Sequence, residues 1–211
     1  LLSLLTSANL SAGFPWLTAQ AIDVAGIAVL ALRVSYVGEL GWELHMARAD
    51  AVSLFEALEK AGKPLGVGYY GAYAANSMRL EKGYRAWGSD LTTERTPLET
   101  GLSAFVKPQG RNFAGRDAML ARAKPWDMVL LDIESDVVDP FYSHAVFADG
   151  RPIGIVTSGA HGHRTGKTLA LAFLREPDVR EGLSVKILGR MRAARVLDEP
   201  PYDPANSRLK A

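Results

Sequence analysis

Cysteine is missing from all 211 residues, and that absence removes disulfides, thiolate nucleophiles and zinc-thiolate sites together. Long apolar runs are missing too. Four leucines fall within the first five residues, but Thr6, Ser7 and Asn9 interrupt them well short of the roughly 20 residues that a membrane span needs. No signal h-region forms. Charge of one sign is also scarce: 24 Lys+Arg stand against 23 Asp+Glu, a formal net charge of +1. No global field therefore draws the chain to nucleic acid or to an anionic membrane. Position 1 is not methionine, and the opening apolar pattern reads as an amphipathic helix entered partway, so the chain is expected to be a fragment. What is present is 48% hydrophobic residues, enough for the core of one large or two small globular domains.

Apolar residues cluster around an Ala25-Gly26 break between Ala21 and Ser35, which predicts two strands joined by a tight turn. A short alternating run from Trp42 to Met46 adds strand character, and Asp50 is placed to N-cap a helix in which Val52, Phe55 and Leu58 fall at helical spacing before a C-cap at Gly62. A second helix is expected from Ala72 to Lys82, ending at Gly83, with Ala72, Ala75 and Met78 as its apolar stripe. A short basic helix closed by Pro125 follows Gly110, and beyond it the pattern turns to short strands: VLLDIE, HAVFADGRPIGIVTSG, KTLALAFL, SVKILG and RAARVLD. Asp149-Gly150 between alternating runs is a hairpin signal. Five or six closely spaced strands predict a small barrel or sandwich.

Several motifs are weighed and set aside. Gly66-Val-Gly68-Tyr-Tyr-Gly71 has GxGxxG spacing, but a helix rather than a parallel strand precedes it, which is the wrong setting for a dinucleotide. Gly166-Lys167-Thr168 looks like the end of a phosphate loop, yet His161 stands where that loop needs its first glycine. His161 and His163 share one side of a strand but find no third ligand for a metal, and His45 and His144 are isolated.

RVSYVGELGWEL, Arg33 to Leu44, concentrates aromatics, glycines and two carboxylates at the end of an apolar strand. Glycines admit a flat ring to the backbone, aromatic faces stack on it, and a carboxylate accepts a pair of hydrogen bonds from an amidine-like edge. Tyr36 and Trp42 as plain core residues, with Glu39 and Glu43 on a solvated strand face, remain an open alternative. SMRLEKGYRAWGSDLTTERTPLETGL, Ser77 to Leu102, brings Arg79, Tyr84, Arg85 and Trp87 near a helix end. An arginine there suits a ligand's carboxylated tail, and surface charge beside a buried Trp87 is the competing reading.

Together these stretches resemble the aminomethyltransferase (glycine-cleavage T-protein) family: the first resembles its G-Y-x-G-E-x-G-x-E segment, the second its R-L-E-x-G…G-x-D…T-P-x-E-x-G-L segment. NFAGRDAML resembles the family's F-x-G-(K/R)-x-x-L linker, and GRPIGIVTSGAHGHRTGKTLALAFL its T-S-G strands, so the similarity covers nearly the whole chain. The wording YVGELGWELH and the ending PPYDPANSRLK look most like the C-terminal folate modules of dimethylglycine and sarcosine dehydrogenases.

The resemblance implies an α+β chain: the later part of a T-protein-like folate-binding domain over residues 1–117, followed by a small C-terminal β-barrel over 118–211. It implies tetrahydrofolate as cofactor, a methylamine-derived donor, a flavin domain or subunit as partner, and a cytoplasmic location, or the mitochondrial matrix in a eukaryote. By carry-over, Glu43 would bind the pteridine edge, Tyr36 would line the ring and Arg79 would reach the benzoyl-glutamate part, with Tyr84 and Trp87 as further contacts. The family's C-terminal tyrosine has no match, and the tail offers Ser207 or Arg208 instead. The family's catalytic aspartate belongs to a region expected before Leu1, since neither Asp23 nor Asp90 fits its motif. The competing expectations are a folate-fold relative without transferase activity, or a truncated product. Iron-sulfur assembly factors of that fold carry K-G-C-Y-x-G-Q-E, which a chain without cysteine lacks.

Overall fold

The computed structural model describes residues 1–122, 126–135, 138–176 and 178–211. The chain divides into two compact units, Leu1–Ala75 with Ala205–Ala211, and Asn76–Pro204.

The first unit holds a three-stranded antiparallel sheet, β1 (Ala19–Val24), β2 (Ile27–Leu32) and β3 (Glu43–His45), and the helix α1 (Ala51–Gly62). Ala25 and Gly26, the two residues between β1 and β2, both have positive φ (55° and 82°). That is the type I′ geometry whose twist matches a two-residue hairpin. Alternation then sorts the sheet into two faces. Val24, Val29 and Ala31 pack with Phe14 and Leu54 in a core that Ile22, Leu44 and Leu58 border. Leu30 opposite His45, and Leu32 opposite Glu43, fall on the other face.

Two sequence expectations for α1 are corrected. Val52 and Phe55 are exposed, and the inward stripe is Leu54 with Leu58, one helical turn apart. The helix ends at Gly62, but the C-cap position falls on Lys63 rather than on Gly62. The chain runs on through a 3-10 turn, Lys63–Leu65, and breaks at Gly66, φ 73°. Glycine is needed at Gly62 for a packing reason: a Cβ there would come within 2.8 Å of Val67. Asp50 does occupy the N-cap position, without a side-chain cap bond.

The helix α2 (Ala72–Glu81) spans the division between the units. Gly83 (φ 63°) donates to Leu80 O and Tyr84 to Arg79 O, the paired bonds of a Schellman stop. Its expected stripe of Ala72, Ala75 and Met78 is not the buried one. Ser77, Arg79, Leu80 and Glu81 are buried instead, three of them polar.

In the second unit, after α3 (Arg116–Ala121), six strands close into a barrel: β4 (Asp127–Ile133), β5 (Ala145–Ala148), β6 (Arg151–Gly162), β7 (Lys167–Leu174), β8 (Leu183–Ile187) and β9 (Arg190–Leu197), in the order β4-β7-β6-β5-β8-β9. Pro125, expected to close the basic helix, lies outside the described residues. Asp149-Gly150 and Leu188-Gly189 make further hairpin turns with positive φ. Val129, Leu131, Ile133, Val146, Leu174 and Val185 fill the interior, while Met128, Leu130, Leu169, Leu171 and Phe173 pack outside against Leu80. Burial on both sides explains the unbroken apolar runs of β4 and β7. The division into compact units falls at Ala75/Asn76, within α2, and groups residues 76–122 with the barrel. Among the described residues no helix is long and apolar enough to cross a membrane, and no cluster of three or more His, Cys, Asp or Glu could hold a metal ion.

Candidate functional site

The loop between β2 and β3 carries most of the ligand-edge residues. Trp42 turns inward and meets Phe14 edge-to-face at 4.6 Å, whereas Tyr36 stays 45% exposed. Glycine is required at Gly41, where a Cβ would sit 2.9 Å from Ser35 Cβ, and at Gly38, whose φ is 80°. Glu43 opens β3 on the face turned away from the core. Its carboxylate is 57% exposed and meets the described residues only through Oε2, 3.2 Å from His45 Nε2. Oε1 has no hydrogen-bond partner among them. Beside it lie Leu30, 49% exposed, and Leu32, so the outer face offers an apolar floor with the Glu43 carboxylate at one edge. From the tail, Arg208 approaches Glu39 at 3.7 Å.

Arg79, Tyr84 and Trp87 belong to the second unit. Arg79 is only 2% exposed. Its Nε and Nη2 donate to Asn76 Oδ1 and its Nη1 to Tyr84 O and Asp90 Oδ2, the last at 2.7 Å. These bonds occupy all but one of its N–H groups, which gives Arg79 an internal holding role that the family resemblance did not suggest. Asp90 is fully buried and accepts four hydrogen bonds: Arg79 Nη1 and Ala86 N reach Oδ2, while Thr157 Oγ1 and Ser158 Oγ reach Oδ1. It ties the end of α2, the loop 84–91 and the irregular register of β6 at Val156/Ser158 into one polar node.

Glu81 forms a second node. Its Oε1 accepts from Arg164 N and Thr165 N, and its Oε2 from Arg164 Nε at 2.7 Å, so the β6–β7 turn hangs on one buried carboxylate. Gly162 makes room for it, since a Cβ there would come within 2.7 Å of Glu81 Cγ. Arg164 lies 3.7 Å over the Tyr202 ring. Partial burial lowers its pKa, but the Glu81 hydrogen bond and charge outweigh that and hold it above the usual arginine value.

Trp87 is 77% exposed, against the reading that made it buried. Burial, and secondarily the charge of Asp203, raises the Tyr84 phenol above its ordinary pKa. Arg85 donates to Thr100 O and Gly83 O, and burial lowers its pKa despite Asp90 and Asp127 nearby. Glu81, Asp90, Thr157, Ser158 and Arg164 were not singled out from sequence. For Glu81 the signal is the run of polar residues on the last turn of α2, a pattern that solvent exposure also produces; the other four lie outside that helix.

The motifs set aside have local explanations. Gly66 ends a 3-10 turn, and Tyr69 bonds Glu59 at 2.8 Å while stacking on Phe55. Lys167 pairs with Asp132 at 2.6 Å. The rings of His161 and His163 meet edge-to-face at 5.0 Å, and His144 Nδ1 accepts from Phe141 N.

Comparison with known proteins bears on the whole chain. Residues 1–110 match the GCVT N-terminal domain, and residues 127–203 the glycine cleavage T-protein C-terminal barrel domain. Mitochondrial dimethylglycine dehydrogenase of Mus musculus is 36% identical over 98% of this chain and 25% of its own length. The aminomethyltransferase of Thermoanaerobacter pseudethanolicus is 32% identical over 83% of this chain and 48% of its own. Glycine cleavage system aminomethyltransferase T from Bartonella henselae superposes with a TM-score of 0.73 at 25% identity, over 83% of this chain and 50% of that one. The chain thus spans about a quarter of the dehydrogenase and about half of the transferases. With a family model matched over more than half its residues and a barrel model matched over most of the rest, the chain belongs to the glycine cleavage T-protein (GCVT) family.

Proposed function

We propose that this chain is the folate-gripping portion and C-terminal barrel of a tetrahydrofolate-dependent module, one that serves one-carbon transfer from a methylamine-derived donor in glycine cleavage or methylated-glycine catabolism. The observation that carries the reading is Glu43. Its carboxylate opens β3, exposed beside apolar Leu30 and Leu32, with Oε1 unengaged among the described residues. That donor set suits a flat heterocycle whose edge presents adjacent N–H groups, as a pteridine does: the apolar floor takes the ring and the carboxylate accepts the pair. Tyr36, in the preceding loop, would cover the ring.

Arg79 enters the reading in a changed role. It acts through Asp90 and Tyr84 O to hold the loop that presents Tyr84 and Trp87, which stay as weaker contacts. When bound, tetrahydrofolate would supply the nitrogens that receive the one-carbon unit. This chain's residues would bind and orient it. Likeness to dimethylglycine and sarcosine dehydrogenases favours a parent protein with a flavin domain or subunit, in the mitochondrial matrix if eukaryotic. Equilibrium dialysis of tetrahydrofolate against the 211-residue chain tests the assignment. Saturable binding that Glu43→Ala abolishes supports it, and retention indistinguishable from a no-protein chamber refutes it.

A further inference from the structure

The barrel unit carries a second feature, unrelated to the folate reading, in the connection between a 3-10 turn at Ser103–Phe105 and α3. A cleft of about 670 Å3 is lined by Phe105, Val106, Lys107, Arg111, Asn112 and Phe113, with no carboxylate among them. Phe105 is 80% exposed and Phe113 39%. Rings left in water in this way forgo hydrophobic burial, and exposed apolar surface rimmed by polar groups marks interaction sites.

The cleft is fixed by backbone bonds. Gly110 N and Arg111 N both donate to Lys107 O, closing a tight turn that brings the two cations onto it, and Arg116 Nε donates to Pro108 O, fastening the turn to α3. Lys107 and Arg111 form no ion pair among the described residues. Charge is locally lopsided as well: residues 103–122 contain Lys107, Arg111, Arg116 and Arg122 against one carboxylate, Asp117, in a chain whose net charge is +1. Asp117 is already paired with Arg116 at 2.7 Å.

We propose that this cleft docks an acidic peptide segment of a partner protein, one that alternates carboxylates with large apolar side chains. Phe105, Phe113, Lys107 and Arg111 line one cleft, so a segment carrying both kinds of side chain can cover the rings and pair with the cations together. The open trough favours such a segment over a small molecule, which needs a pocket that encloses most of its surface. Rings beside cations also suit single-stranded nucleic acid. The two cations of the cleft, Lys107 and Arg111, neutralise too few phosphates for that, since such affinity scales with the number of phosphate contacts.

The test is fluorescence anisotropy of the 211-residue chain with a fluorescein-labelled peptide of alternating glutamate and leucine. The proposal expects saturable binding that weakens with added salt and about tenfold upon Lys107→Glu with Arg111→Glu, and that Phe105→Ser also weakens. If the doubly reversed variant does not melt like the parent, the salt titration and Phe105→Ser decide. No binding, equal binding of the glutamine-for-glutamate peptide, insensitivity to salt and to the substitutions, or tighter binding of oligo-dT would each overturn it.

Discussion

Asp90→Ala should destabilise the barrel unit far more than its single side chain suggests. Asp90 is fully buried and accepts from Arg79, Ala86 N, Thr157 and Ser158. Truncation leaves Arg79 as a buried cation without its counter-charge, and breaking such a pair from one side costs about 3–5 kcal/mol. The orphaned amide and hydroxyls add to this less than their separate values of about 1–3 kcal/mol, because Ser158 and Thr157 can rotate toward other acceptors; Thr157 already lies 3.2 Å from Leu171 O. A loss of about 4 kcal/mol corresponds to a fall of roughly 10–15 °C in melting temperature for a unit of this size. Urea unfolding followed by far-UV circular dichroism reads it directly. The paired change Arg79→Met with Asp90→Leu should recover part of the loss, since it removes both charges from the same site. An Asp90→Ala cost below about 1 kcal/mol, or strictly additive single changes, would refute the node.

Other consequences follow from the same geometry. Gly154→Ala places a Cβ against Phe173 O and within 2.7 Å of Leu174 Cδ2, in a strand paired on both sides; calorimetry should show about 2–3 kcal/mol of destabilisation. Tyr84 has a raised pKa in the folded chain, from burial and then Asp203, so the unfolded chain ionises first. Its contribution is complete below about pH 10 and is lost as pH rises through the folded value. Tyr84→Phe should therefore flatten the alkaline limb of the stability profile, and an unchanged limb would exclude Tyr84 as its source.

The hairpins were legible because Ala25-Gly26 and Asp149-Gly150 combine turn residues with alternating flanks, and the six barrel strands because β-rich runs stand between such turns. Closure is not legible in the strand pattern, and only the family resemblance implies it. It rests on β4 pairing with both β7 and β9, a long-range choice that strand patterns shared with sandwiches do not encode. The α1 stripe is ambiguous in sequence because Val52 and Phe55 keep helical spacing as well as Leu54 and Leu58 do, and only the sheet packed against the helix decides between them. On α2 the difference has the opposite origin: alanine and methionine mark the apolar side of the pattern, whereas ion pairs and hydrogen bonds allow Arg79 and Glu81 to be buried. Glu43 could be picked out locally, by its place among glycines and aromatics. Asp90 could not, because its partners lie as far along the chain as Thr157 and Ser158.

The claim on which the functional reading stands is that Glu43 grips the edge of a folate ring. Isothermal titration calorimetry with tetrahydrofolate, comparing the 211-residue chain with Glu43→Gln, tests it most directly, because the amide keeps the shape and loses the charge. Losing a charge-assisted pair of about 1.5–3 kcal/mol predicts affinity weakened by at least tenfold, with the melting temperature unchanged for so exposed a side chain. Equal affinity in the two proteins would contradict the account.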